Sequence, residues 1–301
     1  MTRMFVASAV LLAGLALQPA SANCPPAHSD RASLETLKSK DFEVADDAVR
    51  QNLALALVSC LSEPDPAMRD GIAFEAYYTW MRAKKLDLAT RTQLLTQLAG
   101  MLEPGQADRA GFRQPFAALV LSEVARTDRV EPWLTDSQRE ALVVSAAAYV
   151  RGISDYRGFD PKEGWRHGVA HGADLLMQLV LNTAIDRAKV DRLLGAVAAQ
   201  VAPPGEHSYI EGESERLARP VLFAAQRGLY TAEEWREWLT KVASPAPLDS
   251  WQGAFKSRAG LAKRHNLNAF INVLYVNARE SSDSNIQALI PGLQAVLKTL
   301  P

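Results

Sequence analysis

The chain has 301 residues, 48% hydrophobic and 22% charged, an ordinary composition for a folded protein of one or two domains. Its formal net charge is −1, with no long basic run or stripe, so strong nucleic-acid binding has no electrostatic footprint. Two cysteines are too few for a cysteine-built metal site.

The first residues read as a targeting segment rather than as structure. Arg3 provides a basic start, Phe5 to Leu17 is an apolar run too short to span a bilayer, and Ala20-Ser21-Ala22 is a small-residue cleavage signal. We expect a signal peptide over residues 1–22 and a single all-helical domain over 23–301, periplasmic or secreted. Asn23 stands where a lipoprotein would carry a small residue before Cys24. No later apolar run is long enough to cross a membrane, so no integral membrane association is expected after cleavage. An even cysteine count in an exported chain favours a Cys24–Cys60 disulfide over two free thiols. In the chain-entropy account such a loop contributes roughly 3–4 kcal/mol.

Downstream, nearly every segment carries helical spacing. Val49, Leu53, Ala56, Leu57, Cys60 and Leu61 recur at three and four residues. A helix is expected over 89–102, ending before Pro104-Gly105. Another is expected over 108–127, with Pro115 as a kink. Thr135 to Gln138 is a capping box opening a helix to about Gly152. Pro161 suits the first turn of the next helix, drawn through the histidines to about Leu181. Helices over 186–201 and 213–227 follow, then a second capping box at Thr231 to Glu234, and helices over 251–278 and 285–300. Strand signals are nearly absent: there is no sustained alternation and no Asn-Gly or Asp-Gly turn. The expected fold is all-α, with stacked antiparallel helix pairs in a HEAT-like α-α superhelix or a helical toroid.

The stretch Gly164 to Asp174 is the richest in chemistry. His167, His171 and Asp174 fall on one helical face, because residues three and four apart are neighbours. Two imidazoles at i and i+4 reach one ion, and a carboxylate one turn on is a further ligand or fixes a tautomer, so these three are candidate ligands for a divalent metal such as zinc. The glutamate of the His-Glu-x-x-His peptidase motif is missing, so that reading fails. The structural alternative is that Gly168, Ala170, Gly172 and Ala173 thin the helix for close packing.

Asp155 and Arg157 precede this stretch, either lining the same cleft or closing a turn as an ion pair, and Trp165 is a candidate stacking surface. The segment Glu206 to Arg216 has the densest negative charge. Glu213 is a candidate catalytic carboxylate and Arg216 a candidate ligand contact, although acids near a helix N-terminus are also favoured by the macrodipole. Lys263 and Arg264, in the stretch Lys263 to Asn268, are candidate cations for that segment, with a solvated polar turn as the structural alternative. There is no nucleophile elbow, phosphate loop or dinucleotide fingerprint.

These residues resemble a bacterial family known as domain of unknown function 2785. The likeness rests on Arg157-Gly158-Phe159, on Gly164-Trp165-x-His167 with Ala170-His171-Gly172-Ala173-Asp174-Leu175-Leu176, and on Gly212 to Ala218. Arg113 with Phe116 and the segment Asn268 to Tyr275 support it. The resemblance implies an all-helical domain and carries no assigned activity. A fainter likeness of Ala170-His171-Gly172 is to lanthionine-synthetase-type toroids, whose cysteine zinc ligands have no counterpart here.

Two functions fit. One is a periplasmic binding or scaffold protein with a concave His/Asp-lined pocket for a peptide, protein or small molecule. The other is a hydrolase or lyase with a His167/His171/Asp174 site, metal-assisted or not. A pocket holding both histidines and an acid from elsewhere favours the enzyme. Burial of all three side chains in a dry helix contact favours the scaffold.

Overall fold

The computed structural model describes residues 24–103, 105 and 108–301; the signal peptide expected over 1–22 lies outside them. The helices are α1 (Arg31–Ser39), α2 (Asp47–Ala56), α3 (Pro66–Met68), α4 (Glu75–Arg82), α5 (Leu88–Met101), α6 (Arg113–Val130), α7 (Asp136–Gly152), α8 (Gly168–Leu181), α9 (Arg187–Val201), α10 (Glu213–Gln226), α11 (Ala232–Val242), α12 (Arg258–Glu280), α13 (Ser284–Gln287) and α14 (Ile290–Thr299). Tight 3₁₀ turns occupy Leu57–Ser62 and Trp251–Lys256, and a π-helix occupies Arg69–Phe74. The fold is all-α. Its one departure among the described residues is a two-stranded antiparallel hairpin of β1 (Phe159–Asp160) and β2 (Gly164–Trp165).

Most helices begin where the chain offers an oxygen to an orphan amide. Asp30, Asp46, Asp87, Thr135, Asp186, Thr231 and Ser257 each accept a backbone N–H of the following turn, with reciprocal capping boxes at Thr135 and Thr231 as expected. α8 and α10 differ. Their caps, His167 and Gly212, stand in the left-handed region at φ 55° and 89°, and no side chain caps either helix.

α4, α6, α8, α10 and α12 pack in succession, each on the next, while α5 lies against α6 and α7 against α8 and α9. Buried hydrophobic side chains from Leu34 to Val296 form one connected core. The disulfide Cys24–Cys60 joins the start of the described chain to the turn after α2, where Cys60 is fully buried.

Four expected elements differ, the helix over 285–300 among them: it is divided into α13 and α14, with Pro291 in the first turn of α14. Asp108 stays outside α6, because its carboxylate accepts the Gly111 amide at 2.8 Å and those of Phe112 and Gln114 at 3.3 Å. Pro115 thus falls in the first turn, where its missing N–H costs nothing, and is no mid-helix kink. The helix drawn through Pro161 is instead the hairpin, and α8 starts only at Gly168. The helix drawn from Trp251 breaks at Ser257, which caps α12.

α6, α7 and α8 are fixed by one buried carboxylate. Asp128, 1% exposed, accepts Trp133 N (2.9 Å), Leu134 N (2.8 Å), Arg139 Nε (2.8 Å) and Nη2 (2.9 Å), and Asn182 Nδ2 (2.7 Å). Burial alone would raise its pKa, but the Arg139 guanidinium and the two amides outweigh this and hold it below the ordinary range.

Asp128→Asn therefore leaves the buried Arg139 guanidinium with only the exposed Asp136 carboxylate, 3.0 Å from Nη1, as counter-charge, and we expect a loss of roughly 3 kcal/mol in urea unfolding. Because the folded pKa is depressed, this stability is present above the unfolded value of about 3.9 and drains as pH falls through the folded value. Wild type should lose stability in that acid window more steeply than Asp128→Asn does.

Candidate functional site

One cleft of about 680 Å³ opens along the succession of α4, α6, α8 and α10. His171 and Asp174 line it from α8, Glu123 from α6, Arg216 and Arg219 from α10, and Trp165, His167 and Glu211 from the connecting segments. Asp70 enters from the π-helix. Wide turns of this kind are frequent at functional sites.

His167 is not on the helix but in front of it. The hairpin delivers it: Arg166 N donates to Gly158 O at 2.9 Å and His167 N to Arg157 O at 3.3 Å. Arg166 also donates through Nε to Ala110 O at 2.7 Å and stacks on Phe112, whose ring also meets the buried Arg69 guanidinium at 3.8 Å. The His167 ring stacks on Trp165 (4.5 Å between centroids) and stands 5.8 Å from the His171 ring. Its Nε2 lies 2.9 Å from the Glu211 backbone oxygen. A carbonyl only accepts, so Nε2 carries the proton and the ring keeps its lone pair on Nδ1.

His171 packs edge-on against Phe116 at 5.1 Å. Its Nδ1 is buried without a hydrogen-bond partner among the described residues. Burial, then the charges of His167 and Arg216, push its pKa down to about 3; the Pro115 backbone oxygen acts the other way and loses. The imidazole is therefore neutral at physiological pH. Asp174 is pushed up by burial, against the pull of Arg216, its ion-pair partner, and of Arg219 at 3.8 Å. Asp70 is likewise raised by burial; Arg69 Nη2 stands 2.7 Å away and opposes this, without a well-aligned hydrogen bond to Oδ2.

The small residues of α8 serve packing at the same time. A Cβ on Gly172 would stand 2.8 Å from Val150 Cγ2, so this face of the helix lies close against α7. The histidine–aspartate face lines the cleft.

Glu213, 3% exposed, accepts the Glu211 amide at 2.9 Å. Glu211 in turn accepts the Phe159 amide at 2.9 Å, and its carboxylate occupies the space above Gly158. The donor atoms of His167, Glu211 and Glu213 all lie within 4.8 Å of one another. Among the described residues this is the one such group, and it shares only His167 with the expected metal set of His167, His171 and Asp174.

The remaining expected residues divide. Trp165 and Arg216 line the cleft. Asp155 lines a separate cavity of about 350 Å³ beside Asp108 and Tyr149, and Arg157 folds back onto it as an ion pair at 2.5 Å. Lys263 and Arg264 do not reach the acidic segment: Lys263 faces Trp251 and Arg264 donates to the Pro301 oxygen. α12 holds that segment through Asn266, which accepts Tyr209 N at 2.7 Å and donates to His207 O at 3.0 Å. The sequence pattern singles out none of Asp70, Glu123 and Glu211; the acid density around Glu211 is the only signal for any of them.

A family model described as a protein of unknown function, DUF2785, matches residues 98–276, more than half of the chain. The chain belongs to the DUF2785 family. The matched span contains α6, the hairpin, α8 and the His167–Glu211–Glu213 group, while the disulfide and the π-helix lie N-terminal to it. No curated protein and no solved structure matches the chain, so the DUF2785 match brings no activity with it.

A Cβ at Gly158 would fall 1.1 Å from Glu211 Oε2, while the backbone there is not in the left-handed region. Gly158→Ala should thus cost roughly 1–3 kcal/mol by thermal unfolding, and much less in a Glu211→Ala background. Equal costs in both backgrounds would show that the carboxylate is not what requires the glycine.

Proposed function

We propose that this protein is a hydrolase or lyase acting on a small polar ligand held in the His167–His171–Asp174 cleft. The observation that supports this reading best is that both imidazoles share the cleft with Asp70, Glu123 and Glu211 from three other segments. A dry helix contact would contain no such gathering. His167 offers one lone pair to a substrate proton or a bound cation, its tautomer set by the Glu211 carbonyl. Neutral His171 supplies a hydrogen-bonding nitrogen, and the Asp174 carboxylate, neutralised by Arg216 and Arg219, orients those guanidinia. Glu213 anchors the loop that carries Glu211.

A second reading, a binding or scaffold protein without chemistry, is favoured by Phe159 and Trp165, which offer exposed aromatic faces with ring centroids 5.0 Å apart beside the cleft.

We also propose export as a single domain, residues 23–301, to the periplasm or outside the cell. Support comes from the disulfide, the connected core and the apolar segment over 5–17. No helix among the described residues is long and apolar enough to cross a membrane. N-terminal sequencing of protein recovered from its own compartment should begin at Asn23.

The functional reading is tested by incubating the purified chain with panels of chromogenic esters, amides, phosphates and glycosides, with His167→Ala and His171→Ala in parallel. Turnover that falls about 100-fold or more in His167→Ala, with an unchanged melting temperature, is the expected result. Ligand-induced thermal shifts with no turnover of any class would replace the enzyme by the binding protein.

A further inference from the structure

Two carboxylates and an imidazole converge at the mouth of α10 without a protein cation. Glu213 is almost fully buried, and neither it nor Glu211 forms an ion pair with a Lys or Arg among the described residues. The nearest cation along the helix, Arg216, is committed to Asp174. A buried carboxylate needs a counter-charge or a metal. The start of α10 supplies a partial charge of about +0.5, too little for two carboxylates whose donor atoms lie within 4.8 Å of each other.

The third donor is prepared in the manner of a ligand. A metal-bound histidine usually gives its other N–H to a backbone carbonyl or a carboxylate, which fixes ring and tautomer. His167 gives Nε2–H to the Glu211 oxygen at 2.9 Å. Its left-handed backbone, at φ 55°, is the kind of strain that persists where the surroundings impose it. Glycine at 158 leaves the space the Glu211 carboxylate fills. Beside the group, His171 lines the same cleft with Nδ1 buried and unpartnered among the described residues.

We propose that His167, Glu211 and Glu213 bind one divalent transition-metal ion of the zinc class. One nitrogen and two oxygens are a mixed set that suits zinc better than calcium or magnesium, which take oxygen alone. Three protein donors leave coordination positions for water or substrate, as catalytic rather than structural zinc sites do. The proposal deepens the hydrolase reading, because it gives the His167 lone pair its partner. It replaces the ligand set expected from helical spacing, in which His171 and Asp174 would have shared the ion.

The test uses tag-free, full-length mature protein, stripped with EDTA and titrated with zinc by calorimetry, then with cobalt followed by visible absorption. One equivalent should bind per chain. Glu213→Gln should weaken binding roughly 100-fold, and Glu211→Gln, whose side chain is only half-buried, provides the same reading if Glu213→Gln does not fold. Glu233→Gln, an exposed carboxylate of α11 paired with Arg236 and outside both the cleft and the donor set, should leave stoichiometry and affinity within about threefold. Absence of zinc binding, or binding equally tight in both glutamine variants, overturns the proposal. The two ideas separate cleanly: substrate turnover that survives EDTA removes the metal and keeps the enzyme, whereas stoichiometric zinc without turnover keeps the metal and removes the enzyme.

Discussion

The placement of every group in the cleft depends on the register of α8 against α6, and that register is set at the far end from the histidines. Asp128 at the end of α6 binds the Asn182 side chain that closes α8, while Arg139 and the amides of 133 and 134 bring α7 to the same point. With that end pinned, about three turns of helix carry His171 opposite Phe116, and about two carry Asp174 opposite α10. A charge buried in this way is costly unless fully hydrogen-bonded, and here five donors meet it. The polar hub contributes alignment that apolar side chains, which tolerate sliding, do not provide.

α8 shows how one helix serves stability and chemistry together. Its glycine side lets α7 approach within side-chain contact, and its histidine side borders the cleft. These were alternatives when only the spacing was known. They are compatible because the two sets of residues lie at different angles around one axis. The same division explains why His171 is both a packing neighbour of Phe116 and a cleft residue: its ring edge meets the core while the helix face it belongs to borders open space.

The all-α fold and most helix starts were legible because caps are local: an Asp, Ser or Thr oxygen finds an amide two or three residues on, whatever the rest of the chain does. The Cys24–Cys60 pairing was legible from counting. What escaped was decided by contacts distant in sequence. The hairpin at 159–165 is held from elsewhere in the chain: Arg69, anchored on the 63 and 64 carbonyls, donates to Glu163 O at 2.8 Å, and Arg166 ties it to the Ala110 carbonyl and the Phe112 ring, so its periodicity carries no trace of that. His167 and His171 came together as expected, but through a left-handed residue before the helix rather than along it. Glu211 was visible only as one acid among four; its role depends on a vacancy at Gly158, more than fifty residues earlier.

The π-helix at Arg69–Phe74 carries an implication of its own. A wide turn amounts to one residue more than an α-helix needs, and each residue advances an α-helix by about 100°. Removing a single residue between Arg69 and Phe74 would restore ordinary winding and swing Asp70 out of the cleft, while α4 and its hydrophobic stripe kept their seat. The same wide turn sets the neighbouring Arg69, whose guanidinium donates to the Glu163 carbonyl, so the acidity of that wall and the seating of the hairpin share one irregularity of winding.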